Sequence, residues 1–298
     1  MHLHELYVLW KIPLYNFSGL KYNEAIQKQN RFMKKGKKIM KKMLAMILAL
    51  VMILCCFAGC GAKADSDAAQ IKKAGKIVVG ITDYAPMDYK DENGEWTGFD
   101  AEFAQLFAKE LGVTCEFYEL PNWGTKFMEL ETKQIDVIWN GMTITEEAKL
   151  NSSVSNPYVV NAQVVVMKAD KLADYADAAS LAGLSIAVES GSAGESCALE
   201  IAGANVIPLQ NQEAALMEVA AGTSDACVID ITMANAMTGE GTSYADLAYQ
   251  LRLSEELYGV SFRKESDLTA KFNEFMDKLK ADGTLDALAA KYSLTLAE

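Results

Sequence analysis

Hydrophobic and polar positions change their period several times along the chain, and these changes predict alternating strands and helices. The short apolar run 76–82 is typical of a strand that is buried on both faces. Helical spacing follows in 100–111, where the apolar positions are Phe103, Leu106, Phe107 and Leu111. A second strand at 115–118 and a second helix at 123–131 continue the pattern. This alternation favours a mostly parallel sheet covered by helices.

The same alternation starts again in the second half of the chain. The predicted strands there are 164–167, 184–188, 205–208 and 226–229, and the helices between them are 195–201, 212–221 and 231–237. A strand at 258–262 and helices at 268–279 and 285–291 close the chain. Two similar α/β halves predict two lobes, and lobes that face one another form a cleft.

Each half contains a turn between a strand and a helix that is suited to binding a small anion. In 136–149, Gly141 permits a close backbone approach, and Thr143 and Glu146 have the spacing of a capping box. Backbone N–H groups that point out of such a turn attract a carboxylate. The Gly-rich segment 190–194 offers the same arrangement in the second half. An ordinary connection between a strand and a helix is the alternative interpretation.

Residues 33–59 have the pattern of a bacterial export signal. A lysine cluster precedes the uncharged apolar stretch 43–57, which is shorter than the roughly 20 residues that span a bilayer. We therefore expect a signal peptide that is removed, and not a permanent transmembrane helix. Export signals seldom follow a neutral leader, so we expect Met33 to be the true start and 1–32 to be an upstream extension.

The end of this segment, Ala58-Gly-Cys60, resembles the lipobox of bacterial lipoproteins. In that box the thiol receives a diacylglycerol group and becomes the mature N-terminus, so Cys60 is expected to anchor the protein to the extracytoplasmic face of the cell membrane. Phe57 stands where the box usually has Leu. Plain signal cleavage and an uncleaved anchor are the alternatives. The small polar residues in 60–70 are expected to form a tether.

Composition excludes several classes of function. The net charge is −12, and removal of the lysine-rich leader makes the remaining chain still more acidic, which argues against a nucleic-acid partner. Both histidines, His2 and His4, precede the export signal, so the exported part has no Ser-His-Asp triad and no histidine zinc site. We expect no cofactor. An odd number of cysteines without paired spacing predicts buried free thiols at Cys115, Cys197 and Cys227.

Several motifs occur in a fixed order between residues 75 and 294. They include Asp83-Tyr-Ala-Pro86, Gly98-Phe-Asp100, Gly141-Met-Thr-Ile-Thr-Glu-Glu147, Ser190-Gly-Ser192 and Asp225-Ala-Cys-Val-Ile-Asp230. In this order they resemble the family 3 extracellular solute-binding proteins, which bind polar amino acids for ABC importers. The resemblance implies an α/β fold of two lobes, the type II periplasmic-binding-protein fold, with mostly parallel sheets and two crossover hinge strands. It places 71–160 and 258–298 in one lobe and 161–257 in the other.

The resemblance also implies a ligand site. Its residues are Tyr84, Trp123, Asn140, Gly141, Thr143, Ser190, Ser192, Ala193 and Asp230. In the family the aromatic at Tyr84 stacks over the solute, a bulky apolar residue at Trp123 flanks it, and the acid at Asp230 holds its ammonium group. Taken alone, either aromatic is more typical of packing, and Asp230 is equally consistent with a helix N-cap.

One position departs from the family pattern. Ala148 stands where the family usually has an Arg that clamps the substrate α-carboxylate through two parallel hydrogen bonds. Lys149 is adjacent, but one helical position is about 100° of rotation, so we expect it to point elsewhere. Either the two turns hold the carboxylate with their N–H groups, or the solute is an amine that lacks one. We favour an amino acid or a close derivative.

These observations predict a monomeric, non-enzymatic component of an ABC importer that delivers solute to a membrane permease. The chain has no P-loop pattern, so ATP hydrolysis would lie elsewhere. A sensory solute-binding protein is an alternative that the sequence does not separate from transport. A dehydratase-like enzyme on the same fold is a second alternative, with Glu189 as its general acid, although no second catalytic group presents itself.

Overall fold

The computed structural model describes residues 66–298 and, in the leader, residues 27, 28, 31 and 33–35. The predicted lipid anchor at Cys60, and most of the predicted extension and signal peptide, lie outside the described residues. No helix in this described part is both long and apolar enough to cross a bilayer. By its internal contacts, 65–298 forms a structural unit of its own.

The first lobe, lobe 1, contains both ends of this unit. Its strands are β1 (Lys76–Ile81), β2 (Tyr89–Lys90), β3 (Trp96–Thr97), β4 (Thr114–Glu119), β5 (Val137–Ile138), β6 (Ser153–Val154) and β12 (Ser261–Phe262). Its helices are α1 (Asp67–Ala74), α2 (Phe99–Leu111), α3 (Lys126–Glu131), α4 (Glu146–Asn151), α8 (Leu268–Ala281) and α9 (Thr284–Lys291). Five strands form a sheet in the order β4-β1-β5-β12-β6, and β2 pairs with β3 separately. β1 lies parallel to β4 and β5, whereas β12 is antiparallel to its neighbours.

Lobe 2 is formed by the middle of the chain. Its strands are β7 (Val159–Lys168), β8 (Ser185–Glu189), β9 (Asn205–Leu209), β10 (Ala226–Asp230) and β11 (Leu247–Tyr258). Its helices are α5 (Ala193–Leu199), α6 (Gln212–Ala221) and α7 (Ile231–Met237), with 3₁₀ turns at Ala169–Asp174 and Ala178–Leu181. The sheet order is β11-β7-β10-β8-β9. β8 is parallel to β9 and β10, and β7 is antiparallel to β10 and β11.

The lobes are connected by β7 and β11. These long strands pair antiparallel from Val159 opposite Tyr258 to Lys168 opposite Leu247. Their paired ends at Val159 and Tyr258 lie where the chain passes between the lobes, and a bridge from Thr143 to Tyr258 joins them to lobe 1. Two α/β lobes connected by two crossover strands are the arrangement that the resemblance predicts.

The first helix replaces part of the expected tether. Ser66 caps α1 by accepting a hydrogen bond from the Ala69 N–H, and the helix buries Ala68 and Ile71 against lobe 1. Residues 67–70 were expected to be tether, and for them the prediction is wrong. The segment is mostly small and polar, so the few apolar positions that attach it to the core produce a weak sequence signal.

An aromatic cluster fills the core of lobe 1 next to the turn at Asn140 and Gly141. The Trp139 ring lies 4.9 Å from that of Phe272 and 5.0 Å from that of Phe103, centroid to centroid, and all three are fully buried. Edge-to-face ring pairs of this kind add about 0.5–1.5 kcal/mol beyond their burial. Because Trp139 directly precedes Asn140 and Gly141, the cluster fixes the end of the strand that carries the first turn.

The described residues Cys115, Cys197 and Cys227 are free thiols, as the sequence predicts. Cys227 lies fully buried in β10, while Cys115 and Cys197 are partly buried. Burial raises the pKa of the Cys115 thiol to about 12, so it is inert at neutral pH. Within the described ranges, no group of three or more His, Cys, Asp or Glu is arranged to hold a metal ion.

Arg263 connects three parts of lobe 1. Its Nε lies 3.1 Å from Asp67 in α1, and its Nη2 lies 2.9 Å from Asp136 before β5. Its Nη1 donates to the Ile135 carbonyl at 2.8 Å. The Arg263 side chain is only 12% exposed, so these ion pairs are shielded from water. Removing one partner of a shielded pair leaves the other charge without compensation.

We predict that Arg263→Met lowers the free energy of unfolding by about 3 kcal/mol, because Asp67 and Asp136 lose their partner. The matched control is Lys278→Met. Lys278 pairs with Glu110 at 3.0 Å but is 59% exposed, so its loss should cost less than about 1 kcal/mol. Urea denaturation of both variants measures the difference. Equal losses would show that the Arg263 cluster contributes no more than a surface pair.

Candidate functional site

A cavity of about 460 Å³ lies between the lobes, which is in the usual range for a small-molecule site. Among the described residues that line it are these predicted contacts: Tyr84, Trp123, Asn140, Gly141, Thr143, Ser192, Ala193 and Asp230. Ser190 is not part of the lining, and its N–H donates to the Leu209 carbonyl at 2.9 Å. The structure therefore brings the predicted residues together, with Ser190 set apart.

The two aromatic residues form walls of the cavity from lobe 1. Tyr84 is 3% exposed, and its hydroxyl is hydrogen-bonded to Tyr258 at 2.6 Å and to Thr232 of lobe 2. It therefore connects lobe 1 to the hinge and to α7. Trp123 is 6% exposed and begins a 3₁₀ turn that Asn122 caps, since the Asn122 Oδ1 accepts from the Gly124 N–H at 2.7 Å.

The first turn is held by carboxylates of the protein itself. The Asn140 amide donates to Asp88 at 2.7 Å, and the Asn140 Oδ1 accepts from the Thr82 N–H at 3.1 Å. The Gly141 N–H donates to Asp100 at 2.6 Å. Burial raises the pKa of Asp100 to about 7. Burial also raises the pKa of Asp88, and the charge of Asp100 adds to that increase. The Asn140 side chain and the Gly141 N–H thus have partners within lobe 1.

The capping box predicted at Thr143 is wrong. Thr145 is the N-cap of α4, and its hydroxyl accepts from the Ala148 N–H at 3.0 Å. Thr143 instead donates its hydroxyl to Glu256 at 2.9 Å. The bridge from Thr143 to Tyr258 keeps residue 143 extended, so the helix begins later than the spacing suggests.

The second turn, in 190–194, is also held by hydrogen bonds to groups of the protein itself. Ser192 caps α5, because its hydroxyl accepts from the Glu195 N–H at 3.0 Å. The Glu195 carboxylate folds back and accepts from the Gly191 N–H at 2.7 Å. Ala193 begins the helix and lines the cavity. In both lobes, therefore, a carboxylate of the protein accepts a hydrogen bond from a turn N–H that the sequence suggested for binding a ligand.

Asp230 lies at the end of β10 and is 4% exposed. It occupies the N-cap position of α7, yet its side chain makes no capping hydrogen bond. Its Oδ1 accepts from the amides of Asn161 at 2.5 Å and Gln163 at 2.7 Å, and its Oδ2 accepts from Gln212. Burial raises its pKa in spite of these donors. The alternative role as an N-cap is thus wrong, because the carboxylate faces the cavity.

The sequence pattern did not identify Glu256, on the hinge strand β11, as a partner of the residues around Asp230. Its Oε1 accepts from the same two amides as Asp230, at 2.6 Å from Asn161 and 2.7 Å from Gln163. Burial and the charge of Asp230 raise the pKa of Glu256 to about 7. Glu256 lies in a strand that looks exposed in the sequence, so no local signal indicates its contacts. Only the pairing of β7 with β11 brings it next to Asn161.

Glu189 is a buried acid that is only partly hydrogen-bonded. It ends β8, is 4% exposed and lines the cavity. Among the described residues, nothing bonds its Oε1, and the same holds for the Oε1 of Gln163. Burial and the charge of Asp230 raise the pKa of Glu189 to about 8, although Lys126 and a hydrogen bond with Gln212 lower it. Glu189 and Gln163 both line the cavity, and each has one buried oxygen without a partner among the described residues.

Lys126 is the only cationic side chain among the described residues that line the cavity. It begins α3 and is 6% exposed. Its Nζ donates to the Gly191 carbonyl of lobe 2 at 3.1 Å and to the Trp123 carbonyl at 3.3 Å. Burial lowers its pKa, while Glu147 and Glu189 raise it. Nothing in the sequence distinguishes this lysine from an ordinary surface residue.

The lobes touch at two glycines. A Cβ on Gly191, in lobe 2, would lie 2.5 Å from the Cα of Gly124, in lobe 1, which no real contact allows. Gly191 also has φ +75°, a conformation that favours glycine. The described structure is thus a closed form, in which the cavity is covered by this contact and by the Lys126 hydrogen bond.

The described part of the chain thus has two lobes that enclose a cavity of the size of a small solute. Residues 77–295 match the family model described as bacterial extracellular solute-binding proteins, family 3. The chain belongs to this family, and its lobes have the type II periplasmic-binding-protein fold that the sequence predicted.

Relatives with known names span most of the chain. The L-cystine-binding protein of Escherichia coli (strain K12) is 27% identical over 248 residues, which cover 81% of this chain and 92% of that protein. The L-arginine-binding protein of Pseudomonas aeruginosa is 31% identical over 220 residues, or 70% of this chain and 84% of that protein. A solved amino acid ABC transporter substrate-binding protein from Streptococcus pneumoniae, bound to L-arginine, has a TM-score of 0.70 and 29% identity, with 78% and 100% of the chains covered.

We predict that Gly191→Ala weakens ligand binding roughly tenfold or more, because the added methyl group separates the lobes at Gly124. The matched control is Gly183→Ala, since Gly183 has φ +84° but no atom within 4 Å of its Cβ position. Both variants should lose about 1 kcal/mol of stability from backbone strain. Calorimetric titration and thermal melting separate the two effects. Equal affinity in the two variants would rule out the glycine contact as a condition for closure.

Proposed function

We propose that this protein captures an amino acid with a positively charged side chain and delivers it to the permease of an ABC importer. The observation that carries the proposal is Glu189, a buried carboxyl group in the lining of the cavity, one oxygen of which has no partner among the described residues. A buried carboxylate without a partner is unfavourable, so a cationic ligand group supplies what the site lacks.

The charge of the cavity supports a cationic ligand. The acids that line it are Glu147, Glu189, Glu195 and Asp230, against the single cation Lys126. Glu195 is already bonded to Gly191. Asp230 and Glu189 repel each other, as the raised pKa of Glu189 shows, and a positive charge between them would relieve that repulsion.

The aromatic walls support the same class of ligand. Tyr84 and Trp123 both line the cavity and are almost fully buried. A ring face near a cation contributes about 0.5–2 kcal/mol, and the flat guanidinium of an arginine side chain stacks well on such rings. The relatives named for L-arginine agree with this ligand, although the L-cystine-binding relative shows that similarity of this degree does not by itself fix the substrate.

We predict that Glu189→Gln weakens the binding of L-arginine roughly tenfold or more, since a charged pair in a closed cavity is lost. Binding of citrulline, which has the same shape without the charge, should be weak in the wild type and little changed in the variant. Glu200→Gln, at an exposed position of the same lobe, serves as the control. Isothermal titration calorimetry gives the affinities. Equal affinity of the wild type for arginine and citrulline would refute the proposed ligand class.

The pKa of Glu189 gives the proposal a pH dependence. In the unliganded closed form its pKa is about 8, so the carboxyl group carries a proton at neutral pH. A cationic ligand favours the charged form, so a protein that is already closed before it binds releases that proton on binding. We predict that arginine affinity rises from pH 6 to 8, approaching tenfold per unit, and that the slope flattens in Glu189→Gln. Calorimetry in buffers of different ionisation enthalpy measures the released proton. An unchanged slope in the variant would assign the proton to another group, such as Glu256.

We also propose that a lipid on Cys60 holds the protein at the extracytoplasmic face of the membrane, a position that lies outside the described residues. The support is a lysine cluster followed by the apolar stretch 43–57, which precedes Ala58-Gly-Cys60. Cys60→Ala should abolish incorporation of labelled palmitate and shift the protein to the aqueous phase of a detergent partition. Cys56→Ala is the control and should remain lipidated. Label retained in Cys60→Ala would place the lipid elsewhere.

A further inference from the structure

We propose that Lys126 binds the α-carboxylate of the captured ligand, an inference that rests on that ligand being an amino acid. An α-carboxylate enclosed in a closed cavity needs a cation or several hydrogen-bond donors, because it has left water. The described lining offers few groups that could serve. Lys126 is identified by its charge and its position, since it is the only cation of the described lining.

The two turns do not supply their most accessible N–H groups. The Gly141 N–H is bonded to Asp100 at 2.6 Å, and the Gly191 N–H is bonded to Glu195 at 2.7 Å. A ligand carboxylate would have to displace a carboxylate of the protein at either place. The exchange would gain no hydrogen bond, and it would place two negative charges side by side.

The residues around position 148 offer no charge either. Ala148 lines the cavity and is 1% exposed, so its methyl group forms an apolar part of the wall. Lys149 does not belong to the lining, is 53% exposed and pairs with Glu146 at 2.8 Å on the outer face of α4. The helix that usually provides the clamp therefore contributes no cation to the cavity.

Lys126 has the required position and an unused donor. Its ammonium group has three N–H donors, and the described contacts engage two of them, on the Trp123 and Gly191 carbonyls. The same nitrogen lies 4.8 Å from the Trp123 ring centroid and 5.0 Å from that of Phe127. These rings and carbonyls hold the ammonium at the edge of the cavity, where a carboxylate can accept the third N–H.

This assignment gives each charged group of the ligand a partner in the cavity. A basic amino acid brings two positive groups and one negative group. Asp230 and Glu189 are placed for the positive groups, and Lys126 is the only described lining residue placed for the negative one. The Lys126 hydrogen bond to Gly191 also crosses the lobes, so a simple structural role in holding the cleft closed is the competing explanation.

The test compares L-arginine with agmatine, which is the same molecule without its carboxylate. We expect the wild type to bind arginine more tightly than agmatine. Lys126→Met should weaken arginine binding roughly thirtyfold or more, because a buried charge pair is broken, and should change agmatine binding little. Lys126→Arg should retain the preference for arginine. Lys149→Met, next to Ala148 but outside the cavity, is the control and should match the wild type.

Lys126→Arg keeps the test informative if Lys126→Met folds poorly, because it retains the cation, and a rescue of Lys126→Met adds a further readout. Adding Ala148→Arg to Lys126→Met should restore the preference for arginine, since a guanidinium then enters the cavity from α4. Equal weakening of arginine and agmatine in Lys126→Met would assign the residue to lobe closure and overturn the inference. Equal affinities for the two ligands in the wild type would overturn it while leaving capture of a cation intact. Failure of the wild type to bind either ligand would instead refute the proposed function.

Discussion

Buried carboxyl groups at the junction of the lobes are the constraint on which the site depends. Asp230 and Glu256 accept from the same two amides, those of Asn161 and Gln163, so strand β7 supplies donors to lobe 2 and to the hinge together. Buried polar groups of this kind are stable only when nearly every member has a partner. The network therefore fixes the hinge strands and the bottom of the cavity relative to one another.

The same principle shapes both turns at the mouth of the cavity. Asp100 holds the Gly141 N–H, and Glu195 holds the Gly191 N–H. Each turn is thereby preorganised by a carboxylate within its own lobe before any ligand arrives, which lowers the entropy lost on binding. The cost is that neither N–H remains available for an anionic ligand group. A ligand carboxylate would then be bound by a side chain. The cationic groups of the ligand would be bound by the acids that remain unpaired.

Much of the fold was predictable because its signals are local. The alternation of apolar strands and amphipathic helices depends on residues close in sequence, and so does the turn at Gly141. The partners of that turn are not local, since Asp100 reaches it only through the packing of α2 against the sheet. Glu195 is four residues from Gly191, and its spacing could have suggested that the turn binds its own helix. Lys126 reaches the cavity, and Glu256 reaches the amides that bind Asp230, only through tertiary packing, for which the sequence pattern has no signature.

The unpaired acid also explains why capture and closure would be one event. In the closed form Glu189 is removed from water and, within the described residues, its Oε1 has no partner, so burial raises its pKa to about 8. Opening the lobes would return this carboxyl group to water and remove that penalty. A cation pairs with Glu189 most strongly in the closed form, where water is excluded. Since a ligand shifts an equilibrium only by its differential affinity for the two states, this one contact favours closure when the ligand is present and opening when it is absent.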